Sequence, residues 1–594
     1  MRFKKALIAL LVLLIPISVF VMWKAQDFNY PTNDEAAYFD LTQKLYLNFK
    51  NIPTKEATLK LYTEKYWKPI LHPVAGVSFL TLASGDSRLA VSLYSGTMYL
   101  TLLLGIFFYI KKYTSSFSAA VAASTLTLVP WVFGMSTTFN SEIGFSAIAI
   151  WLFYFAEDFR DFSNLKKSFS LALLLFLLFI LRPVEAALLS CIWLLYLIGS
   201  HLKNKKIGFI DLLVIILWVS LFAVITIFPF FILKKHWSGL QMWAFAGLAV
   251  VVLVMSILAV IFGKANKGFQ LFISGFFFLS ILWYIPGSYQ LFDWIYITNF
   301  DYLAKATGNR LGRPAYEFVF FYIKKWGVLP ILILTLFLIE NRSQIFVKRT
   351  KEIWFLFAAI VLFPSLGGVL SYNGDVRYYY AGWLVFTAVL LAEFLKREGV
   401  LRLVKTMFLV VLMVFFSYGL LKYENVKETW FQKYFHIAGG ESFFLMVPNK
   451  EDLPAALEEK IATALQENNN NEKIKKIHYF QTAINPFFDS NSANIIARER
   501  GNKLFFTARS IYEPLKEKDI TDTFIYSDYI LVGSIFNLHE INSNSISRNK
   551  LAELCVRQQD SENIFSQKIK FYKEVKHEST FWPAARFCLF EVIK

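Results

Sequence analysis

Ala6-Leu7-Ile8-Ala9-Leu10-Leu11-Val12-Leu13-Leu14-Ile15-Pro16-Ile17-Ser18-Val19-Phe20-Val21-Met22-Trp23 is a run without one charged side chain, directly behind Arg2, Lys4 and Lys5. At a rise of about 1.5 Å per residue it makes a helix nearly as long as a hydrocarbon core of ~30 Å is thick. A basic start before an apolar run is also the pattern of a signal peptide. No small-x-small cleavage site closes this one, and signal cores are usually shorter. The run is therefore expected to stay as a first membrane span.

Further runs of the same kind follow. Over 594 residues, 56% are hydrophobic and 18% aromatic, above the roughly 45–50% apolar content of soluble domains. The runs lie at 5–23, 88–110, 117–134, 141–156, 168–181, 183–199, 212–233, 240–262, 269–285, 326–340, 353–372, 377–395 and 403–421, about thirteen spans in all. Residues 168–199 as one helix would reach about 48 Å, too long for one crossing. Arg182-Pro183 divides them at a tight turn. The net charge of +17 excludes neither nucleic acid nor lipid by itself, but many basic residues punctuate the apolar runs. Lys111/Lys112, Lys166/Lys167, Lys264/Lys267, Lys348/Arg349 and Lys396/Arg402/Lys405 fall in alternate loops. The positive-inside rule then puts the N-terminus in the cytoplasm; Lys234/Lys235 is the local violation. An odd span count leaves residues 422–594 outside the plasma (inner) membrane. Two outside loops are long, 24–87 and 286–325.

Residues 1–421 thus form a transmembrane unit, and 422–594 a separate extracytoplasmic one. In the latter, β-type runs at 477–481, 503–507, 529–533, 569–575 and 586–593 alternate with helical stretches near 453–467, 490–500 and 545–558. This alternation predicts a small α/β domain with a mixed sheet. With three cysteines in all, no disulfide scaffold or Cys-rich metal site is expected. Cys555 and Cys588 fall in the outside unit, where a bridge is permitted; two separate buried thiols are the other reading.

Chemistry-bearing residues collect at the outer face. Thr32-Asn33-Asp34-Glu35-Ala36-Ala37-Tyr38 reads as a helix start, with Thr32 or Asn33 capping and Glu35 closing a capping box. Acids in a first turn also simply suit the helix dipole. The functional alternative is a carboxylate pair with one member a general base. Lys68, His72 and Arg88 lie within 21 residues of one another, a set suited to a phosphate. Snorkelling is the plain account of Arg88, and packing that of His72. Glu142 opens the fourth span, where an ionisable group is costly unless used or solvated. Arg182 stands at the next outer turn, with Glu185 within reach as a partner. Arg377 precedes Tyr378-Tyr379-Tyr380, an interfacial aromatic set. No Walker loop, HExxH or nucleophile elbow occurs, so nucleotide hydrolysis is not expected.

The order of these motifs resembles the GT-C membrane glycosyltransferases, most of all the protein O-mannosyltransferase and lipid A aminoarabinose transferase branch. The likeness rests on Asp34-Glu35-Ala36-Ala37-Tyr38, His72-Pro73-Val74-Ala75-Gly76, Gly85 to Leu89, Glu142, Leu181-Arg182-Pro183 and Arg377-Tyr378. It covers residues 1–200 well and 350–395 weakly. His72 stands where that branch tends to have Lys, and Glu142 where it has Asp. The resemblance implies a polytopic helical fold and transfer of a sugar from a polyprenyl phosphate carrier to a lipid, glycan or protein acceptor on the outer face. Asp34, Glu35 and Glu142 would be catalytic; Lys68, His72, Arg88, Arg182 and Arg377 would bind the donor phosphate. Membrane lipids are the other expected partners and nucleic acid is not one. No cofactor is called for, with a divalent metal left open. A flippase or transporter of lipid-linked saccharide, or a polysaccharide polymerase or ligase, are the competing classes.

Overall fold

The computed structural model describes residues 2–26, 33–63, 71–158, 164–182, 186, 189, 267–284, 327–340, 380–396, 398–422, 438, 453–466, 474–481, 490–508, 526–535, 554, 557, 561–564, 567–577 and 585–593. The expected spans 212–233, 240–262 and 353–372, nearly all of 183–199 and of the helix near 545–558, and the loop 286–325 lie outside the described residues. What is described is mostly helical. The helix α1 (Arg2–Lys24) is the first apolar run. Next come α2 (Asn33–Asn51), α3 (Thr54–Thr63), α4 (Leu71–Leu82) and α5 (Ser87–Lys111). They are followed by α6 (Ser116–Thr127), α7 (Pro130–Thr137), α8 (Ser141–Asp158), α9 (Leu165–Leu181), α10 (Lys267–Tyr284), α11 (Leu329–Glu340), α12 (Tyr380–Phe394) and α13 (Val400–Leu421).

Among the described residues, Ala6–Lys24 of α1, α5 and α13 are each long and apolar enough to cross a membrane. Leucines 7, 10, 11 and 14 of α1 and Val404, Met407, Val411 and Val414 of α13 are exposed, as lipid-facing side chains are. The chain is a multi-pass membrane protein. The run 117–134, expected as one span, is bent by 71° between α6 and α7. Pro130 is the cause: it lacks an N–H and its ring excludes the carbonyl four residues back, so it can only begin a new helix. All of α7 is buried.

The helix ends gather at two levels. At one, Lys24 Nζ donates to Thr137 O at 3.0 Å and Arg182 Nη1 lies 2.5 Å from Glu142 Oε1. At the other, Thr114 Oγ1 donates to Leu395 O at 3.2 Å and Thr406 Oγ1 to Ser118 Oγ at 3.0 Å. There Lys405 pairs with Glu340 and donates to Phe394 O at 2.7 Å. This second level carries Lys111, Lys112, Lys396 and Arg402, so two of the expected cytoplasmic loops meet in space.

The C-terminal residues build a mixed sheet. Its strands are β1 (Lys475–Gln481), β2 (Leu504–Ala508), β3 (Tyr529–Ile535), β4 (Ser561–Ile564), β5 (Gln567–His577) and β6 (Ala585–Ile593), in the order β2-β1-β3-β6-β5-β4. The pairs β1–β2 and β1–β3 are parallel; β3–β6, β5–β6 and β4–β5 are antiparallel. The two-residue alternation of a strand sorts the core. Tyr529 and Leu531 pack with Ile461 and Leu465 of α14 (Leu453–Gln466) and with Ala493 and Ala497 of α15 (Ser490–Glu499). Ile530 and Val532 pack on the opposite face with Cys588 and Phe590. Cys588 is disulfide-bonded; the expected partner, Cys555, lies outside the described residues. The short β4 was not read from the sequence.

Candidate functional site

The first long loop is not a coil but three helices, and α2 is the one that reaches the site. Its first turn carries Asp34 and Glu35. Thr32 and the side chains of Asn33 and Asp34 lie outside the described residues, and with them the expected cap at Thr32 or Asn33. The Glu35 carboxylate accepts from the backbone N–H of Phe139, in the link between α7 and α8. This bond ties α2 to a segment 104 residues away.

His72 sits in the first turn of α4, beside Pro73, which is tolerated there because first-turn N–H groups need no helical partner. Its ring is fully buried. Tyr94 Oη lies 2.8 Å from Nδ1, and Phe139 O lies 3.3 Å from Nε2. A carbonyl can only accept, so the contact with Phe139 O places a proton on Nε2, while the Tyr94 hydroxyl can serve Nδ1 as donor or acceptor. Tyr38 meets the ring edge-on, with centroids 4.9 Å apart. As placed, His72 braces α2, α4, α5 and the 138–141 segment from behind, with both nitrogens engaged. The helices come this close because Gly76 lacks a side chain: a Cβ there would lie 2.6 Å from Phe139 Cζ and 2.8 Å from Thr42 Oγ1.

Glu142 stands in the first turn of α8 and Arg182 at the C-cap of α9. Their side chains are 6% and 11% exposed, and Arg182 Nη1 also donates to Ser141 Oγ at 3.2 Å. Ser141 Oγ is in turn 3.4 Å from Tyr38 Oη. So Arg182 is paired with Glu142, whereas the sequence offered Glu185, which lies outside the described residues. The Oε2 atom of Glu142 is buried without a hydrogen-bond partner among the described atoms. A buried carboxylate of this kind is costly unless a ligand, water or proton completes it.

Arg88 is the second residue of α5 and half-buried. Gly85, with φ +95°, turns the chain out of α4, which lets Asp86 cap α5 by accepting from Leu89 N at 2.9 Å. That reversal fixes Arg88 at the start of the span, on the level of Glu35 and Glu142 by helix order. Lys68 and Arg377 lie outside the described residues. No group of three or more His, Cys, Asp and Glu that would hold a metal occurs among the described residues.

Sequence reasoning missed one set altogether. Arg498, in the last turn of α15, pairs with Asp40 of α2 and donates to Gln43 Oε1 at 2.6 Å. Gln43 Nε2 donates to Ser87 Oγ at 3.0 Å, and Glu499 Oε1 accepts from Ser87 N at 2.8 Å. Partners more than 400 residues apart leave no periodic trace in a sequence.

No protein-family model matches the chain, and no curated protein does so by sequence. Similar solved structures include the archaeal oligosaccharyltransferase AglB of Archaeoglobus fulgidus in complex with an inhibitory peptide and a dolichol-phosphate. It has a TM-score of 0.49 and 11% identity, over 89% of this chain and 69% of that one. ArnT from Cupriavidus metallidurans bound to undecaprenyl phosphate has a TM-score of 0.47 and 11% identity, over 98% and 97%. The arabinofuranosyltransferase AftD from Mycobacteria has a TM-score of 0.45 and 11% identity, over 100% and 40%. Scores and identities at this level decide neither a fold nor a chemistry, so the functional reading rests on the site.

Proposed function

We propose that this protein is a GT-C-type glycosyltransferase. It moves a sugar from a polyprenyl phosphate carrier to an acceptor hydroxyl at the membrane face on which the C-terminal sheet stands, taken as the outer face of the plasma membrane. The observation that supports it most is the meeting of Glu35, Glu142 and Arg182 at one level of the helix ends, with Asp34 beside Glu35 on α2 and Arg88 at the start of α5. Carboxylates and guanidinium groups at the rim of a bilayer are the two kinds of group this reaction needs.

The acceptor oxygen attacks the anomeric carbon, the bond from that carbon to the phosphate oxygen breaks, and the configuration inverts. Phosphate is already a good leaving group, so cations that stabilise its charge matter more than a general acid. Arg182 and Arg88 fill that role, with Lys68 and Arg377 as further candidates. Glu142 holds the Arg182 guanidinium in place, since a bidentate-capable group is directional only when fixed. Glu35 is occupied with the Phe139 N–H, which leaves Asp34, one residue earlier, as the base that takes the acceptor's proton.

The test is to incubate the purified protein in nanodiscs with polyprenyl phosphate sugars and to measure free polyprenyl phosphate. Asp34→Asn keeps the shape and removes the base, so release should fall by about 10²–10⁴-fold with folding intact. Near-normal release by Asp34→Asn, with loss only in Glu35→Gln or Glu142→Gln, moves the base elsewhere. Passage of intact lipid-linked sugar across a vesicle membrane without release would favour a flippase and overturn the proposal.

A further inference from the structure

The helix α15 is buried on two sides. Ala493 and Ala497 belong to the core of the C-terminal sheet, while Ile495 and Ile496 belong to the core of the membrane helices. Its last turn then makes the polar set described above: Arg498 on Asp40 and Gln43, and Glu499 on the first N–H of α5. Asp40 and Gln43 lie one and two turns along α2 from Glu35. At 1.5 Å per residue, Asp40 is about 7.5 Å from Glu35 along the helix axis. Between Glu35 and Gln43, Tyr38 faces His72, and Thr42 Oγ1 lies 3.3 Å from Pro73 O.

We infer that Arg498 and Glu499 are positioning residues: through α2 and the N-terminus of α5, the C-terminal unit sets where the first-turn carboxylates of α2 stand. This deepens the glycosyltransferase reading and rests on it for its catalytic arm. The chemistry suits a tether. Asp40 is 8% exposed and Arg498 26%, so their pairing is only partly screened by water. Ser87 is fully buried, and its N–H is one of the helix-start donors that need a partner; Glu499 supplies it from another part of the chain. Asp40 also holds Lys44 at 2.6 Å, so removing Arg498 does not leave a bare buried carboxylate. Arg498→Gln is therefore expected to fold.

The experiment uses the full-length protein in nanodiscs, with Arg498→Gln, Asp40→Asn and the swap Arg498→Asp with Asp40→Arg. Hydrogen exchange is read on peptides from α2 and from the sheet. Turnover is read as release of undecaprenyl phosphate from undecaprenyl-phosphate-linked sugars. Arg498→Gln should speed exchange in α2 while the sheet is unchanged. It should lower kcat by about 10- to 100-fold, the scale expected when a reacting group is displaced by an ångström or less, with KM for the donor unchanged. The swap should recover part of both. Wild-type exchange in α2 together with wild-type kcat overturns the inference. So does loss of protection in the sheet with no recovery in the swap, which would mark a merely structural pair. If Asp34→Asn keeps full turnover, the catalytic reading fails on its own while the exchange result still decides the tether.

Discussion

Gly76→Ala tests the contact on which the site is built. The added Cβ would sit 2.6 Å from Phe139 Cζ, 2.8 Å from Thr42 Oγ1 and 2.9 Å from Thr42 Cγ2. None of these atoms is the free end of a flexible side chain. Phe139 and Thr42 are both fully buried, and the Thr42 hydroxyl is 3.0 Å from Tyr38 O and 3.3 Å from Pro73 O. Relief must come from moving α4 away from α2 and Phe139. Overpacking of this kind costs about 1–3 kcal/mol, and the rigid surroundings point to the upper half of that range. Alanine returns about 1 kcal/mol of helix propensity over glycine, leaving a net loss of roughly 1–2 kcal/mol. Because Phe139 carries the N–H that Glu35 binds, the displacement passes to the carboxylates, and sugar transfer should fall with stability. Gly105→Ala is the matched control. Its Cβ would meet Ile150 Cγ2 at 2.6 Å, deeper in α5 and away from these helix ends, so it should lower stability comparably and leave transfer by the folded fraction unchanged. The assays are thermal unfolding in nanodiscs and release of polyprenyl phosphate per folded molecule. Wild-type stability and transfer in Gly76→Ala, or equal loss of transfer in both variants, would refute the reasoning.

Glu142→Gln leaves Arg182 without its carboxylate in a nearly dry site and should cost about 3–5 kcal/mol, read as a lower unfolding temperature. Adding Arg182→Met should recover stability and not transfer, whereas recovery of transfer would remove Arg182 from the phosphate contacts. Burial raises the pKa of Glu458 above the usual carboxylate range, against the lowering effects of Asn502 and Arg500. The folded chain therefore holds this proton to higher pH than the unfolded one, and stability falls as pH rises from the unfolded pKa of about 4.3 through the folded value. Glu458→Gln should flatten that slope in denaturant titrations of the whole chain, and an unchanged slope would assign it to other groups. An alkaline phosphatase fused after Lys594 should be active outside the cytoplasm; an inserted but inactive fusion would reverse the topology.

The parts legible in the sequence are those with a period or a forced local geometry. The runs at 477–481, 529–533 and 586–593 lie within β1, β3 and β6, because alternate residues on a two-sided sheet must both be apolar in the middle of a chain like Tyr529 to Ile535. Long apolar runs announced α1, α5 and α13 directly. The bend before α7 was missed although Pro130 was in plain view, since composition alone does not separate a kinked span from a straight one. The helix α4 was missed because Lys68 to Pro73 reads as a loop, and only its first-turn placement reconciles Pro73 with a helix. At the site, residue types and order put Glu35, Glu142 and Arg182 among the candidates at one membrane face, but did not say who pairs with whom. Arg182 with Glu142, and Arg498 with Asp40, are settled by packing across the chain.

The buried hydroxyls of α6 bear on the order in which such a chain can be assembled. Ser124 Oγ donates to Val12 O of α1 at 3.2 Å, whereas Thr125 Oγ1 reaches Leu409 O of α13 at 3.0 Å. The first partner is made well before α6 leaves the ribosome; the second is made 284 residues later. Until α13 arrives, one flank of α6 that ends up wholly enclosed must face lipid or a helper, and a nascent chain stalled before Val400 carries that open flank. Among the described residues α13 thus closes a flank of α6 that α1 leaves open, and quality control in the membrane has a definite unfinished surface to recognise.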